Sequence, residues 1–488
     1  MKKKTLRDFR NDESGGILAF TLLMFMVMLV GGGMAVDFIN YEYRREGVQD
    51  ALDRGVLAAA ALGKAANATS EEEIAAAEAA AIETVRAYVR SGGFDPDELG
   101  LVVTPDFTLN SQLVAAISNF SVDTYFLRIS GIDTLNGGAA SSALVSRNQI
   151  ELSLVVDISG SMAGTKIADL RDAATNFVTT MLEDDRSDYT TLSLVPFSAQ
   201  VRPNDNLIAQ FNLNRWQTYG NCVDFDLSDY DNTNISRTAS LTQAQHWRPQ
   251  WVANVDSGDV FWCPPARHEI LPWSNSIAQL TASIDQLTAT GNTAAYLGMK
   301  WGTGLLDSDA QPVLTALTQI CSDPVIDGNG VVITPAVCDV DPAFDGRPAA
   351  DDDDETLKFV ILMTDGANTG GYRIKNWQYD QEDTNPDLSQ ENADYWNDNI
   401  MPWSYSHLED RVTNSQGDTR LQNICTKAKD AGIIVFTIGY DVSVDSNPYN
   451  QMRSCASSFG HFYNVETDDL NAAFTSIAQT IQKLKLVN

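Results

Sequence analysis

The chain has 488 residues, enough for two or three folded units with sizeable hydrophobic cores. Its net charge of −32 disfavours nucleic acid and an anionic membrane surface as partners of the folded body, because both require a basic face. Divalent cations and basic protein patches are the partners that this charge favours.

The first predicted element is a membrane-spanning helix over residues 17–36. This segment carries no charge, and at about 1.5 Å per helical residue it is about 30 Å long, the thickness of a bilayer core. A cleaved signal peptide is less favoured, because Gly31-Gly32-Gly33 is followed by further apolar residues. Five basic residues precede the span: Lys2, Lys3, Lys4, Arg7 and Arg10. We therefore expect a single-pass membrane protein with residues 1–16 in the cytoplasm and the remainder extracytoplasmic.

A helical stalk or hairpin is predicted at 37–95 and a small β-rich element at 96–148. Tyr41–Ala66 continues the span as a helix whose apolar face comprises Val48, Leu52, Val56 and Leu57. A capping box at Ser70 and Glu73 begins a second helix. Two interpretations of the apolar face are open: it packs on the second helix, or on a helix of a partner.

All six cysteines lie beyond the span, and their even number in an extracytoplasmic segment predicts three disulfides. The sequence alone does not choose among the possible pairings. Pairing of nearest neighbours would give each disulfide one local insertion to hold: Cys222 with Cys263, Cys321 with Cys338, and Cys425 with Cys455.

From residue 149 to 488, apolar strands alternate with helical stretches, as is typical of an α/β protein with a doubly wound, mostly parallel sheet. The strands are predicted at Ile150–Val156, Thr191–Phe197, Phe359–Met363, Ile433–Ile438 and Phe462–Val465. The helices are predicted at Thr165–Leu182, Ser274–Leu287, Ala294–Leu306, Leu421–Ala431 and Asp469–Leu484.

Long insertions are predicted near 203–272, 307–354 and 368–418, and we expect them to form the specificity surface. They contain most of the tryptophans: Trp216, Trp247, Trp251, Trp262, Trp377, Trp396 and Trp403. These side chains form either satellite cores within the insertions, which is the favoured interpretation, or a binding patch.

Oxygen ligands for a metal ion follow two of the predicted strands. Asp157, Ser159 and Ser161 follow the first strand with the spacing Asp-x-Ser-x-Ser, and Asp365 follows the strand that ends at Met363. The carboxyl ends of parallel strands meet at one edge of a sheet, and hard oxygen ligands suit Mg²⁺ or Mn²⁺ better than Zn²⁺. The alternative is a tight strand-to-helix turn in which Asp157 only caps the next helix.

This arrangement resembles the von Willebrand factor A (VWA) domain, whose metal-ion-dependent adhesion site (MIDAS) uses a DxSxS loop, a Thr and a distal Asp in this order. The resemblance implies five metal-site positions: Asp157, Ser159, Ser161, Thr293 and Asp365. It also implies that the serines bind the metal directly, the aspartates often through water. An Asp or Glu carboxylate of a partner protein then fills the open coordination position. Thr290 is the alternative to Thr293.

The N-terminal region has a second resemblance. Residues 12–16 before the span, Ala35-Val36-Asp37 at its exit and the segment 41–61 are similar to TadE/TadG-like proteins of tight-adherence, or Flp-type, pilus assembly. The resemblance implies pilus or envelope components as partners. The alternatives are a surface adhesin or envelope scaffold unrelated to pili and, less favoured, a metal-dependent hydrolase.

Neither further metal sites nor catalysis is strongly indicated. Acidic clusters at 327–330, 339–345 and 351–355 could hold Ca²⁺, but their spacing differs from that of an EF-hand, so solvated loops are favoured. The four histidines, His246, His268, His407 and His461, lack the spacing of zinc ligands. Because no GxSxG, HExxH, Walker A or SxxK motif is present, we do not expect an enzyme.

Overall fold

The computed structural model describes residues 16–62, 71–107, 111–146, 149–249, 261–322, 325–326, 332–334, 337–351, 353, 355–375, 386–401, 408–466 and 469–484. The chain divides into two compact units, Met1–Arg147 and Asn148–Asn488. Each unit has its own hydrophobic core.

The first unit is built on one long helix. Helix α1 (Gly16–Ala60) is continuous from the apolar segment into the predicted stalk, and α2 (Glu71–Ser91) follows it. Among the described residues, α1 is the helix that is long and apolar enough to cross a membrane. Residues 63–66 of the predicted stalk helix and Ser70 of its capping box lie outside the described residues.

The apolar face of α1 beyond the span is covered within the unit. Val48, Leu52 and Val56 form one core with α2 and a small sheet. Leu57, which was predicted on this face, is instead 62% exposed. The reason is helical geometry, since consecutive residues of an α-helix are separated by about 100° and Leu57 follows the buried Val56.

The small sheet is antiparallel and has the strand order β1-β2-β3, with β1 at Val102–Phe107, β2 at Ser111–Asp123 and β3 at Thr134–Ser146. Alternate residues of β2, among them Val114, Ala116 and Phe120, are buried. This period of two places one face of the sheet in the core that α1 and α2 share.

The second unit contains a seven-stranded sheet with the order β19-β18-β14-β4-β5-β11-β6, in which every neighbouring pair is parallel except β5 with β11. In chain order, the elements of this unit are β4 (Gln149–Asp157), α3 (Thr165–Leu182), β5 (Thr190–Phe197), β6 (Arg202–Pro203), α4 (Asp205–Ile208), β7 (Leu213–Asn214), β8 (Val223–Asp224), β9 (Leu241–Gln243), β10 (Arg248–Pro249), β11 (Glu269–Ser274), α5 (Ile277–Asp285), α6 (Ala295–Gly304), α7 (Gln311–Thr318), β12 (Val325–Ile326), β13 (Val332–Thr334), β14 (Thr356–Thr364), β15 (Gly371–Ile374), α8 (Pro386–Asp398), β16 (Ile400–Met401), β17 (Leu408–Val412), α9 (Asn414–Asp430), β18 (Ile434–Tyr440), α10 (Asn447–Cys455), β19 (Phe462–Val465) and α11 (Leu470–Leu484).

Helices cover both faces of this sheet. Helices α3, α5 and α11 contribute to the core on one face, and α6, α7, α9 and α10 contribute to the core on the other. Successive residues of β4 alternate between the two cores, with Leu154 and Val156 in one and Val155 in the other. This double burial explains why Leu154, Val155 and Val156 are consecutive apolar residues at the end of β4, although the buried Glu151 and Ser153 earlier in the strand are polar.

Two of the predicted helices start several residues away from the predicted position. The helix predicted from Ser274 begins at Ile277, because Glu269–Ser274 is strand β11. Pro272 and the left-handed backbone of Trp273 (φ 45°) are unusual inside a strand, so the pattern favoured a loop there. The helix predicted from Leu421 begins at Asn414, since Thr413 and Gln416 form a capping box ahead of it.

Three disulfides join the nearest neighbours in sequence: Cys222–Cys263, Cys321–Cys338 and Cys425–Cys455. The first two close loops within the insertions, while Cys425–Cys455 joins α9 to α10. In the insertions, Trp247 and Trp262 stack at 4.9 Å between ring centroids and are buried with Ile374, as expected of a satellite core. Trp216 and Trp396 are half-buried, and Trp251, Trp377 and Trp403 lie outside the described residues.

We predict that Gly298→Ala destabilises the chain. A Cβ atom at Gly298 of α6 would lie 2.6 Å from Phe197 Cδ1 and 2.7 Å from Val155 Cγ1, both of them buried. Such overpacking typically costs about 1–3 kcal/mol. Thermal unfolding of the detergent-solubilised protein measures it, with Gly460→Ala as the matched control, because the nearest atom to a Cβ there is 3.8 Å away. Equal loss in both variants would contradict the prediction.

Candidate metal site

The pairing of two parallel strands places the two predicted carboxylates at the same edge of the sheet. Met363 of β14 pairs with Val156 of β4, so Thr364 lies beside Asp157 and Asp365 directly follows. Both positions are at the carboxyl ends of their strands, where ligands bind in open α/β sheets.

Asp157 is completely buried and accepts two hydrogen bonds. Its Oδ1 accepts the backbone N–H of Ser159 at 2.7 Å, and its Oδ2 accepts the hydroxyl of Thr364 at 2.6 Å. Burial, and next the charge of Asp365, raise the pKa of Asp157 to about 6, although the hydrogen bonds from Thr364 and Ser159 oppose this shift. The electrostatic environment therefore favours a compensating cation.

The two serines connect the loop to the second carboxylate. The hydroxyls of Ser159 and Ser161 are 2.9 Å apart, and the Ser161 hydroxyl donates to Asp365 Oδ1 at 2.6 Å. Ser159 is buried whereas Ser161 is exposed. This group of oxygens is therefore accessible to solvent from the side of Ser161.

A third loop, residues 290–293, is hydrogen-bonded to the DxSxS loop. The N–H of Thr290 donates to Ile158 O at 2.7 Å, and the N–H of Gly160 donates to Gly291 O at 2.9 Å. The backbone of Thr293 is fixed by Thr369, whose hydroxyl accepts the Thr293 N–H at 2.8 Å. Thr290 and Thr293 are both buried, and the Thr290 hydroxyl has no partner within the described chain, so Thr290 stays the alternative ligand.

Two functional residues were missed from the sequence. Thr364 fixes Asp157, and Lys166 Nζ forms ion pairs with Asp365 Oδ2 at 2.9 Å and with Asp441 Oδ2 at 3.4 Å. No sequence motif marks either residue, since Thr364 simply precedes Asp365 and Lys166 is one of the first residues of α3 after the DxSxS loop. Lys166 gives the site one positive charge of its own.

The chemistry of the donor set fits a hard divalent cation. The neighbouring groups are carboxylates and hydroxyls, which suit Mg²⁺ or Mn²⁺. In the described residues, no group of three or more His, Cys, Asp or Glu side chains could hold a metal, so binding here would depend on the serine hydroxyls as well as on the aspartates. Lys166 compensates part of the negative charge of the two carboxylates.

The acidic clusters considered for Ca²⁺ have their carboxylates in separate contacts. Asp339 accepts from Asn206, Asp341 from Asn275 and Asp345 from Thr315, while Asp351 forms an ion pair with Lys358. Residues 327–330, Asp352 and Asp354 lie outside the described residues. The preference for solvated loops over Ca²⁺ sites stays a prediction.

The described histidines lie in other environments. His268 Nε2 accepts the backbone N–H of Thr288 at 3.1 Å, His246 stacks on Tyr219, and His461 Nδ1 contacts the Ser458 hydroxyl at 3.1 Å. His407 is outside the described residues.

Comparison with known proteins gives one family match and several structural likenesses. Residues 15–62 match the family model of putative Flp pilus-assembly TadE/G-like proteins, in agreement with the N-terminal resemblance. None of the curated proteins matches the chain.

Similar solved structures include the vWF domain of the type V pili tip protein Mfa5 from Porphyromonas gingivalis, with 16% identity, a TM-score of 0.35 and coverage of 70% of this chain and 97% of that one. The pilus adhesin SpaC from Lactobacillus rhamnosus GG has 14% identity, a TM-score of 0.33 and coverage of 78% and 34%. The pilus adhesin RrgA from Streptococcus pneumoniae has 11% identity, a TM-score of 0.33 and coverage of 78% and 48%. The chain thus spans less than half the length of these two adhesins.

We predict that Thr364→Val destabilises the metal-free protein. The substitution keeps the shape of the side chain but removes a hydrogen bond to a buried carboxylate, which typically costs about 1–3 kcal/mol. Thr191→Val is the matched control, because the buried Thr191 hydroxyl has no partner among the described residues and its loss should be neutral or stabilising. Urea unfolding in the presence of a chelator compares the two, and equal effects would contradict the role assigned to Thr364.

Proposed function

We propose that this chain is a membrane-anchored extracytoplasmic protein that binds a protein partner through a divalent-metal adhesion site, within Flp/Tad-type pilus assembly or anchoring. The observation that carries the proposal is the convergence of Asp157, Ser159, Ser161 and Asp365 at the carboxyl edge of the sheet. The strand order, with β5 on one side of β4 and β14, β18 and β19 on the other, supports a doubly wound VWA domain for the second unit.

The residues have distinct parts in this mechanism. Ser159 and Ser161 would bind Mg²⁺ or Mn²⁺ directly, with Thr293 as the third hydroxyl, while Asp157 and Asp365 supply the negative charge. The bound metal supplies an electrophilic coordination position for an Asp or Glu carboxylate of the partner. The exposed Ser161 marks the side from which this carboxylate arrives.

The pilus context and the topology rest on the N-terminal region. The match of residues 15–62 to putative Flp pilus-assembly proteins supports partners among pilus or envelope components. Helix α1 is compatible with a single membrane pass. The basic residues before it favour a cytoplasmic N-terminus at the inner membrane, with the bulk of the chain in the periplasm.

An adhesin or envelope scaffold unrelated to pili would use the same metal site. Deletion of the gene followed by electron microscopy separates the two functions, because only a pilus-assembly or anchoring role requires that pili be lost or shed.

Catalysis is not favoured by the contacts of the serines: the Ser161 hydroxyl donates to a carboxylate rather than to an imidazole base.

We predict saturable Mg²⁺ binding that Asp157→Ala abolishes. Calorimetric titration of the intact, disulfide-bonded protein in detergent measures it. Because removal of a buried carboxylate also affects folding, Ser161→Ala serves as a second variant at an exposed position, and we expect at least about tenfold weaker binding from it. Ser415→Ala, another exposed serine, is the matched control. Absence of binding to the folded wild-type protein would overturn the metal mechanism.

We also predict that Lys166→Gln increases the affinity for Mg²⁺. The Lys166 ammonium is paired with Asp365, so a divalent cation must displace it or tolerate its charge. Removal of one like charge from the site should strengthen binding by about tenfold or more. Lys427→Gln removes a lysine that is paired with Asp430 at the surface, and it should leave the affinity unchanged. Weaker binding in Lys166→Gln would show that the lysine positions Asp365 rather than competing with the metal.

A further inference from the structure

The connection between β2 and β3 is fixed to the end of the apolar segment of α1. Asp37 is buried, and its carboxylate accepts three consecutive backbone N–H groups, from Tyr125 at 3.0 Å and from Phe126 and Leu127 at 2.8 Å each. The ring of Phe126 lies against Gly33, where a Cβ atom would collide with it. The connection therefore lies beside the last turn of the proposed span.

This connection, residues 124–133, exposes large apolar side chains despite being firmly held. Tyr125 is 74% exposed and Ile129 is 71% exposed, and Ile132 is also exposed. The apolar surface continues on α1, where Phe38 and Ile39 are exposed just past the span. Single exposed apolar residues need no explanation, but several at the exit of a membrane helix do.

The backbone of the connection is internally hydrogen-bonded. In addition to the three bonds to Asp37, the N–H of Ile132 donates to Leu127 O at 3.2 Å and the N–H of Thr124 donates to Asp133 O at 3.0 Å. Satisfied backbone groups are a requirement for polypeptide near the hydrocarbon of a bilayer. The exposed ion pair of Arg128 with Asp133 is suited to the headgroup layer.

We infer that the connection at 124–133 is a second membrane contact, which inserts Tyr125, Ile129 and Ile132 into the interfacial layer on the extracytoplasmic side. The inference rests on the membrane anchoring proposed above, and the occupant of this surface is the lipid around α1. Asp37 acts as the clamp that holds the connection at this depth. The contact would fix the tilt and rotation of α1 through two points instead of one.

The small sheet leads away from this contact along α1. Gly137 of β3 packs near the Tyr41 hydroxyl, and Ala140 O accepts the side-chain amide of Gln49 at 2.9 Å. The contacts with α1 thus advance from residue 33 to 49, a distance of about 24 Å along a helix. Leu144 of β3 lies farther still and is 61% exposed, which makes it a control position on the same sheet.

The test is depth-dependent fluorescence quenching of the full chain in phosphatidylethanolamine–phosphatidylglycerol vesicles. Because all six native cysteines are disulfide-bonded, an engineered cysteine is the single free thiol for an environment-sensitive dye. Labels are placed through Ile129→Cys, Leu144→Cys and Leu23→Cys, the last on the exposed surface of the span. We expect lipid-attached nitroxides to remove most of the signal at 129 and 23 but not at 144, with acrylamide quenching only 144.

Quenching at 23 but not at 129 would overturn the second contact and leave the anchor intact, whereas no lipid quenching at 23 would overturn the anchor itself. Lipid quenching at all three positions would also contradict the inference, because the sheet would then lie on the membrane. Adding Asp37→Ala to the Ile129→Cys variant should move the label into water. Unchanged lipid quenching there would refute the clamp role of Asp37.

Discussion

The parallel pairing of β4 with β14 is the constraint on which the metal site depends. Its register sets Val156 against Met363, and therefore sets Asp157 beside Thr364 and close to Asp365. A slip of one residue would turn the alternate side chains of β14 to the opposite face and remove the Thr364 hydrogen bond from Asp157. The register is held by burial on both faces, since Leu154, Val155 and Val156 belong to the two cores that the helices cover.

Two buried carboxylates, Asp37 and Asp157, are compensated differently, and the way each is compensated indicates its role. Asp37 accepts three backbone amides, which satisfy it without a cation, and this arrangement is structural. Asp157 accepts one amide and one hydroxyl, which leaves its pKa raised to about 6 through burial and the neighbouring Asp365. Incomplete compensation of a buried charge is a feature of functional sites, and here it favours a site that binds a cation.

Much of this arrangement could be predicted from the sequence because the signals are local. The two strands that lead to the aspartates end in apolar runs, Leu154–Val156 and Phe359–Met363; Asp157 follows its run directly, and Asp365 follows after Thr364. Strand β11 was not predictable, since Pro272 and the backbone of Trp273 are atypical of a strand and only pairing with β5 makes it one. Lys166 and the Asp37 clamp were also missed, because both depend on residues brought close only by folding.

The ion pair of Lys166 with Asp365 affects how strongly the candidate site would bind a metal ion. In the proposed mechanism, a metal ion would displace the Lys166 ammonium or tolerate its charge, so its affinity would reflect the difference between two electrostatic interactions rather than one. A partner carboxylate, as proposed, would add negative charge on the exposed side and would strengthen metal binding in turn, because binding free energies are reciprocally coupled. This coupling would make retention of the metal conditional on the partner: the proposed site would hold its ion most firmly when the partner is bound.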